Sequence, residues 1–111
     1  MKEINLEFGL PTSDAAVMKL KNEIITERKK GTKRIKVIHG YGSSGKGGVI
    51  KNATITALKG LVATGTIRMF CPGEDFGPFS ERGRLIAAKY PDVKGDRDWA
   101  RQNDGVTIVV L

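Results

Sequence analysis

The tightest constraint on this chain lies at Gly40-Tyr41-Gly42-Ser43-Ser44-Gly45-Lys46-Gly47-Gly48, where five of nine residues are glycine. A run this dense does not settle into a strand or a helix, because ordering glycine costs more backbone entropy than ordering any other residue. It reads as a loop. Just ahead of it, Ile35-Lys36-Val37-Ile38-His39 reads as a strand; just after it, Ile50, Ala53, Ala57, Leu58, Leu61 and Val62 recur on one helical face. A strand that feeds such a loop and then a helix places bare main-chain amides at a helix N-terminus, where the helix dipole favours negative charge. Residues 35–62 are therefore a candidate anion-binding unit.

The flanking pattern supplies the rest of an α/β domain. Ile4, Leu6 and Phe8 alternate with Asn5 and Glu7, the period of a half-buried strand. Thr12 or Ser13 suits the cap of a following helix, Asp14 its first turn, and Ala16, Val17, Leu20, Ile24 and Ile25 its apolar face. Lys29 and Lys30 suit the last turn, and Gly31 the left-handed stop. Gly65 ends the second helix, Thr66–Phe70 reads as a third strand and Val106–Leu111 as a fourth. The fourth is apolar at nearly every position, so it is expected at the centre of the sheet with both faces covered. Between strands three and four runs a polar excursion, 72–105, with a short helix expected over 80–90, weakened by Gly83. The expected architecture is a single domain over 1–111: a βαβαββ, two-layer, mixed four-stranded sheet with two main helices and an insertion at 74–103.

Charge is segregated along the chain. Residues 1–27 carry a net −2 and residues 74–111 a net −1, whereas residues 28–73 hold ten basic side chains and no acid. The whole chain is +7. A field of this kind concentrates polyanions, so nucleic acid is the expected partner. The lone Cys71 has no second cysteine to pair with, and with a single histidine it does not make a zinc site. No apolar run is long enough to span a bilayer and no leader pattern is visible at Met1, so the cytoplasm is the expected compartment, with no membrane partner and a monomer as the default.

Three motifs overlap the glycine loop. Gly40-x-Gly42-x-x-Gly45 matches a dinucleotide fingerprint, but that site needs an acidic residue roughly twenty positions on. None occurs before Glu74. Gly40-x-x-x-x-Gly45-Lys46 approaches a P-loop, yet Gly47 stands where a magnesium-binding Ser or Thr belongs, and no later strand ends in a metal-binding Asp. The third motif, His39-Gly40-Tyr41-Gly42 at the end of strand two, resembles the His-Gly-x-Gly loop of the Smr (small MutS-related) domain family. The order of elements agrees, Lys51 occupies a helix position where the family often has Arg, and the closing Gly105–Leu111 run is similar to the family's last strand. The resemblance implies a fold similar to the C-terminal domain of translation initiation factor three, binding of DNA or RNA and, in some members, endonuclease cleavage. The family's Leu-Asp-x-His motif corresponds to Leu6-Glu7-Phe8-Gly9, with glycine in place of the histidine.

The expected nucleic-acid contacts are His39, Gly40, Tyr41, Gly42, Ser43, Ser44, Gly45, Lys46 and Lys51, with Arg34 and Lys36 extending a phosphate track. Tyr41 is suited to stacking on an exposed base. If the domain cuts, His39 and Glu7 are its catalytic pair, and a divalent metal is expected in that case alone; otherwise no cofactor is expected. Binding without cleavage is the first expectation, because the substitution at Gly9 removes a proton-transfer group while the amide-rich loop stays. An endonuclease acting on RNA or structured DNA is the alternative, and a protein-interaction adaptor using the 72–105 excursion is a second. Trp99, among Asp96, Arg97, Asp98 and Arg101, is expected to anchor that excursion to the domain.

Overall fold

The computed structural model describes residues 1–9, 11–41 and 46–111, with the backbone alone at residues 46 and 47. Its elements are β1 (Lys2–Asn5), α1 (Ser13–Lys29), β2 (Arg34–Ile38), α2 (Lys46–Ala63), β3 (Met69–Pro72), α3 (Glu81–Lys89) and β4 (Val106–Val110), with short 3-10 turns at Gly73–Asp75 and Pro91–Gly95. The helix limits follow the sequence signals. Thr12 caps α1 by accepting from the Ala15 amide at 3.1 Å, and Gly31 stops it with φ +82°. Two strands are displaced from expectation. β1 ends before Phe8, which is 84% exposed, and β3 begins three residues later than the apolar run suggested.

The sheet order is β1-β2-β4-β3. β1 and β2 are parallel, and β4 runs antiparallel to both its neighbours, so β3 points the same way as β1 and β2. The two crossovers, through α1 and α2, step in the same direction across the sheet. Right-handed connections then place both helices on one face. There they enclose a single apolar core that includes Ile4, Ala16, Leu20, Ile24, Ile35, Val37, Leu58 and Val109.

That topology leaves the other face bare unless something else covers it. The expected insertion does so: Phe76, with Ile86 and Ala87 of α3 and Val93 of the Pro91–Gly95 turn, packs against Cys71, Ile108 and Val110. Trp99 is half-buried in this second core, its ring edge-on to Phe76 at 5.1 Å between centroids. The domain therefore has three layers rather than the two expected, and α3 is a third main helix. β4 is central and buried at all five positions, as its unbroken apolar run required. Gly83, expected only to weaken α3, is where the helix crosses the backbone of 75–77; a Cβ there would collide with the Gly77 carbonyl.

The second layer is also fastened by charge. Lys36, on β2, is 1% exposed; its Nζ donates to Asp96 Oδ1 and Asp98 Oδ2, each at 2.6 Å. Burial works to lower the Lys36 pKa, but the two carboxylates outweigh it and hold the ammonium above its ordinary value. Beside it Arg34 lies over the Tyr90 ring, 4.6 Å from its centroid, and pairs with Asp92.

Candidate functional site

Parallel strands that share a direction bring their carboxyl ends to one edge of the sheet, the usual ligand edge of an open α/β fold. Here that edge gathers Glu7 after β1, Gly40 and Tyr41 after β2, and Glu74 after β3, with Asn103–Gly105 leading into β4. The α2 N-terminus, at Lys46, follows directly from the same loop. The turn at Gly40 has φ +84°, and a Cβ at that position would collide with the Glu7 carboxylate. The backbone angle is what favours glycine at position 40, since the exposed Glu7 side chain could swing aside.

The loop is tied to the base of β4. The Gly105 carbonyl accepts from both the His39 and the Gly40 amides, each at 3.0 Å. The Gly105 amide in turn donates to Asn103 Oδ1 at 3.0 Å, and Asn103 Nδ2 donates to Asp98 Oδ1 at 2.8 Å. A continuous set of hydrogen bonds therefore runs from buried Lys36, through Asp98, Asn103 and Gly105, to the start of the glycine loop. The Tyr41 ring rests against Gly105, where a Cβ would lie 2.9 Å from the ring, yet the residue is 62% exposed. An aromatic ring backed by main chain and open to solvent is a stacking platform.

His39 is not part of that open surface. It is fully buried. Its Nδ1 donates to the Gly40 carbonyl at 3.0 Å, which leaves Nε2 to accept from the Thr107 hydroxyl at 2.8 Å. Burial lowers its pKa, with the Gly40 carbonyl opposing and nearby Lys51 adding to the fall, so the ring is neutral at pH 7. With the ring buried and both nitrogens hydrogen-bonded, His39 braces the start of the loop, and neither nitrogen is exposed for the expected phosphate contact or proton transfer.

Lys51 Nζ donates to Glu74 Oε2 at 2.7 Å and to the Asp104 carbonyl at 2.9 Å, bridging α2 to the segments before and after the second layer. Among the expected site residues, the structure brings together Glu7, Gly40, Tyr41 and Lys51, with His39 beneath them. It does not bring Arg34 and Lys36 there. Both project onto the α3 face, and Lys36 is enclosed by its two aspartates, so a phosphate track through them is corrected. Gly42, Ser43, Ser44, Gly45 and the Lys46 side chain lie outside the described residues. Glu74 and Asn103 were not among the expected site residues. The one sequence signal for Glu74 was its place just past the end of a strand, in Pro72-Gly73-Glu74.

Neither a family model, nor a curated protein, nor a solved structure matches this chain. No helix among the described residues is long and apolar enough to cross a membrane.

Proposed function

We propose that this chain is an Smr-like domain that binds single-stranded or unpaired nucleic acid at the carboxyl edge of its sheet, without cutting it. A phosphate sits at the α2 N-terminus, held by main-chain amides of the glycine loop, and an adjacent base stacks on Tyr41. The observation that carries the reading is the pairing of an open, backbone-supported aromatic ring with a helix N-terminus on the same loop. The chain's +7 charge supplies long-range attraction. Lys46 stands at the first turn of α2, where a cation strengthens phosphate binding.

Binding without cleavage fits a His39 whose ring nitrogens are both hydrogen-bonded and a Gly9 that supplies no second proton carrier. The exposed Glu7 carboxylate lies beside Gly40. The test is fluorescence anisotropy with a labelled single strand of about 20 nucleotides and the matching duplex across a salt series. Binding should favour the single strand and weaken steeply with salt. Tyr41→Ala should cost about 1–3 kcal/mol on the single strand, the usual worth of one stacked base. Wild-type protein that ignores both probes, or single-strand affinity untouched by Tyr41→Ala and Lys46→Glu alike, overturns the proposal.

A further inference from the structure

The described basic residues of 28–73 do not share one surface: Arg34 and Lys36 meet the aspartates of the second layer, and Lys51 lies at the glycine-loop edge. Among the described residues, the ion pairs join Lys30 to Glu27, Arg34 to Asp92, Lys36 to Asp96 and Asp98, Lys51 to Glu74, and Arg97 to Glu3 and Asp98. Arg28, Lys33 and Arg68 have no ion pair among those residues, and all three line one polar groove of about 420 Å³. It lies at the sheet end opposite the glycine loop, where β2 and β3 begin and α1 and α2 stop. None of the described residues lining it is acidic.

Its frame is rigid. The Arg68 amide donates to the Val110 carbonyl at 2.9 Å and the Leu111 amide to the Lys33 carbonyl at 2.8 Å, so the backbones that carry both cations are fixed on either side of the end of β4. Their backbones are two strand spacings apart, roughly 10 Å. Gly31 and Gly65, at φ +82° and +74°, turn the chain sharply away at the two helix ends and open the space between them. Neutralising a helix C-terminus explains Arg28, which sits in the last turn of α1. It does not explain Lys33 and Arg68, which precede strands. The Glu27 carboxylate, bonded to Thr32 of the groove, is paired with Lys30, and the two helix ends contribute roughly −0.5 charge each against three full positive charges.

We propose that this groove is a second anion site, which takes neighbouring phosphates of a polynucleotide between Arg28, Lys33 and Arg68. The polynucleotide as occupant rests on the function proposed above; the anion site does not. Amide shifts in a nitrogen-15 spectrum, recorded during titration with inorganic tripolyphosphate, read the groove directly. Residues 31–33 and 65–68 should move, and Arg28→Gln with Arg68→Gln should remove the response while leaving the rest of the spectrum unchanged. A flat response in the folded wild type overturns the site. The triple change Arg28→Gln, Lys33→Gln, Arg68→Gln should also lower the salt dependence of single-strand binding, by about 0.7 of a unit of slope for each phosphate no longer neutralised. Unchanged nucleic-acid affinity and slope in that variant overturn the polynucleotide as occupant. A groove that answers tripolyphosphate in a protein that binds no nucleic acid upholds the anion site and removes the earlier proposal alone.

Discussion

The two faces of the sheet are closed by different physics. Beneath α1 and α2 the packing is mostly apolar, with Leu20, Ile24, Ile35, Val37 and Leu58 all fully buried; the neutral His39–Thr107 pair and the Thr54 hydroxyl of α2 are polar groups enclosed on that side. Beneath α3 a comparable apolar patch is supplemented by one buried ammonium between two carboxylates. Apolar packing is indifferent to pH and tolerant of small shifts. A buried ion cluster holds only when every member is present, because the desolvation of each charge must be offset by the others. The same sheet therefore carries one layer secured by area and one secured by charge balance.

The sharpest way to break that contrast is to remove a single charge. Lys36→Ala should destabilise the domain by about 3–5 kcal/mol in urea unfolding, since it leaves two carboxylates, one buried and one half-buried, facing each other without their cation. Replacing the cluster whole, with Lys36→Met, Asp96→Asn and Asp98→Leu, should return most of that loss. If the triple variant is no better than the single one, charge balance is not what matters there. Leu20→Ala on the first face should cost about 2–5 kcal/mol, from the apolar burial forgone and the cavity left behind, with no such rescue available.

Gly83→Ala should cost about 1–3 kcal/mol, an overpacking penalty, because the new methyl meets the Gly77 carbonyl. Its effect should appear as faster amide exchange in α3 while α1 and α2 stay protected. Equal loosening of all three helices would mean that the two layers do not open separately.

The smallest effects come from pH, and they separate the faces again. Burial sets the folded His39 pKa below 6.5, so the unfolded chain takes that proton first. Its contribution to stability is whole above that value and fades as pH falls through the folded one. Asp98 behaves likewise further down. Burial works to raise its pKa, but hydrogen bonds from Asn103 and Lys36 outweigh that and hold it below 3.8. Its contribution is therefore lost only in stronger acid. Unfolding followed from pH 7 downward should show two successive losses. Asp98→Asn should flatten the second and leave the first.

Much of the first face was legible from the residues. Apolar spacing marks α1 and α2, Thr12 and Gly31 mark helix limits, and the run Val106–Val110 marks a strand covered on both sides. That last signal already demanded a third layer, but the residues that form it were hard to see. Phe76, Ile86, Ala87, Val93 and Trp99 are scattered among charged neighbours, at no single period. The basic stretch misled for a related reason. Lys36 and Arg34 have no acid nearby in sequence, yet their partners are Asp96 and Asp92, 60 and 58 residues away, and composition along the chain does not reveal charge pairing across the fold. The glycine loop announced the ligand edge, but His39, the residue that looked most chemical, went inward. The deciding partner was Thr107, 68 positions on, across the β2–β4 pairing.

Cys71 gives this molecule a clock of its own. It is the chain's sole cysteine, sealed between β3 and the second layer, and burial, helped by Asp75, pushes its thiol up to about 12. At neutral pH almost no thiolate forms while the layer is shut, so an alkylating reagent must wait for α3 to lift. With reagent in excess, the rate of labelling then counts openings of one wall of the protein, and the other wall stays silent.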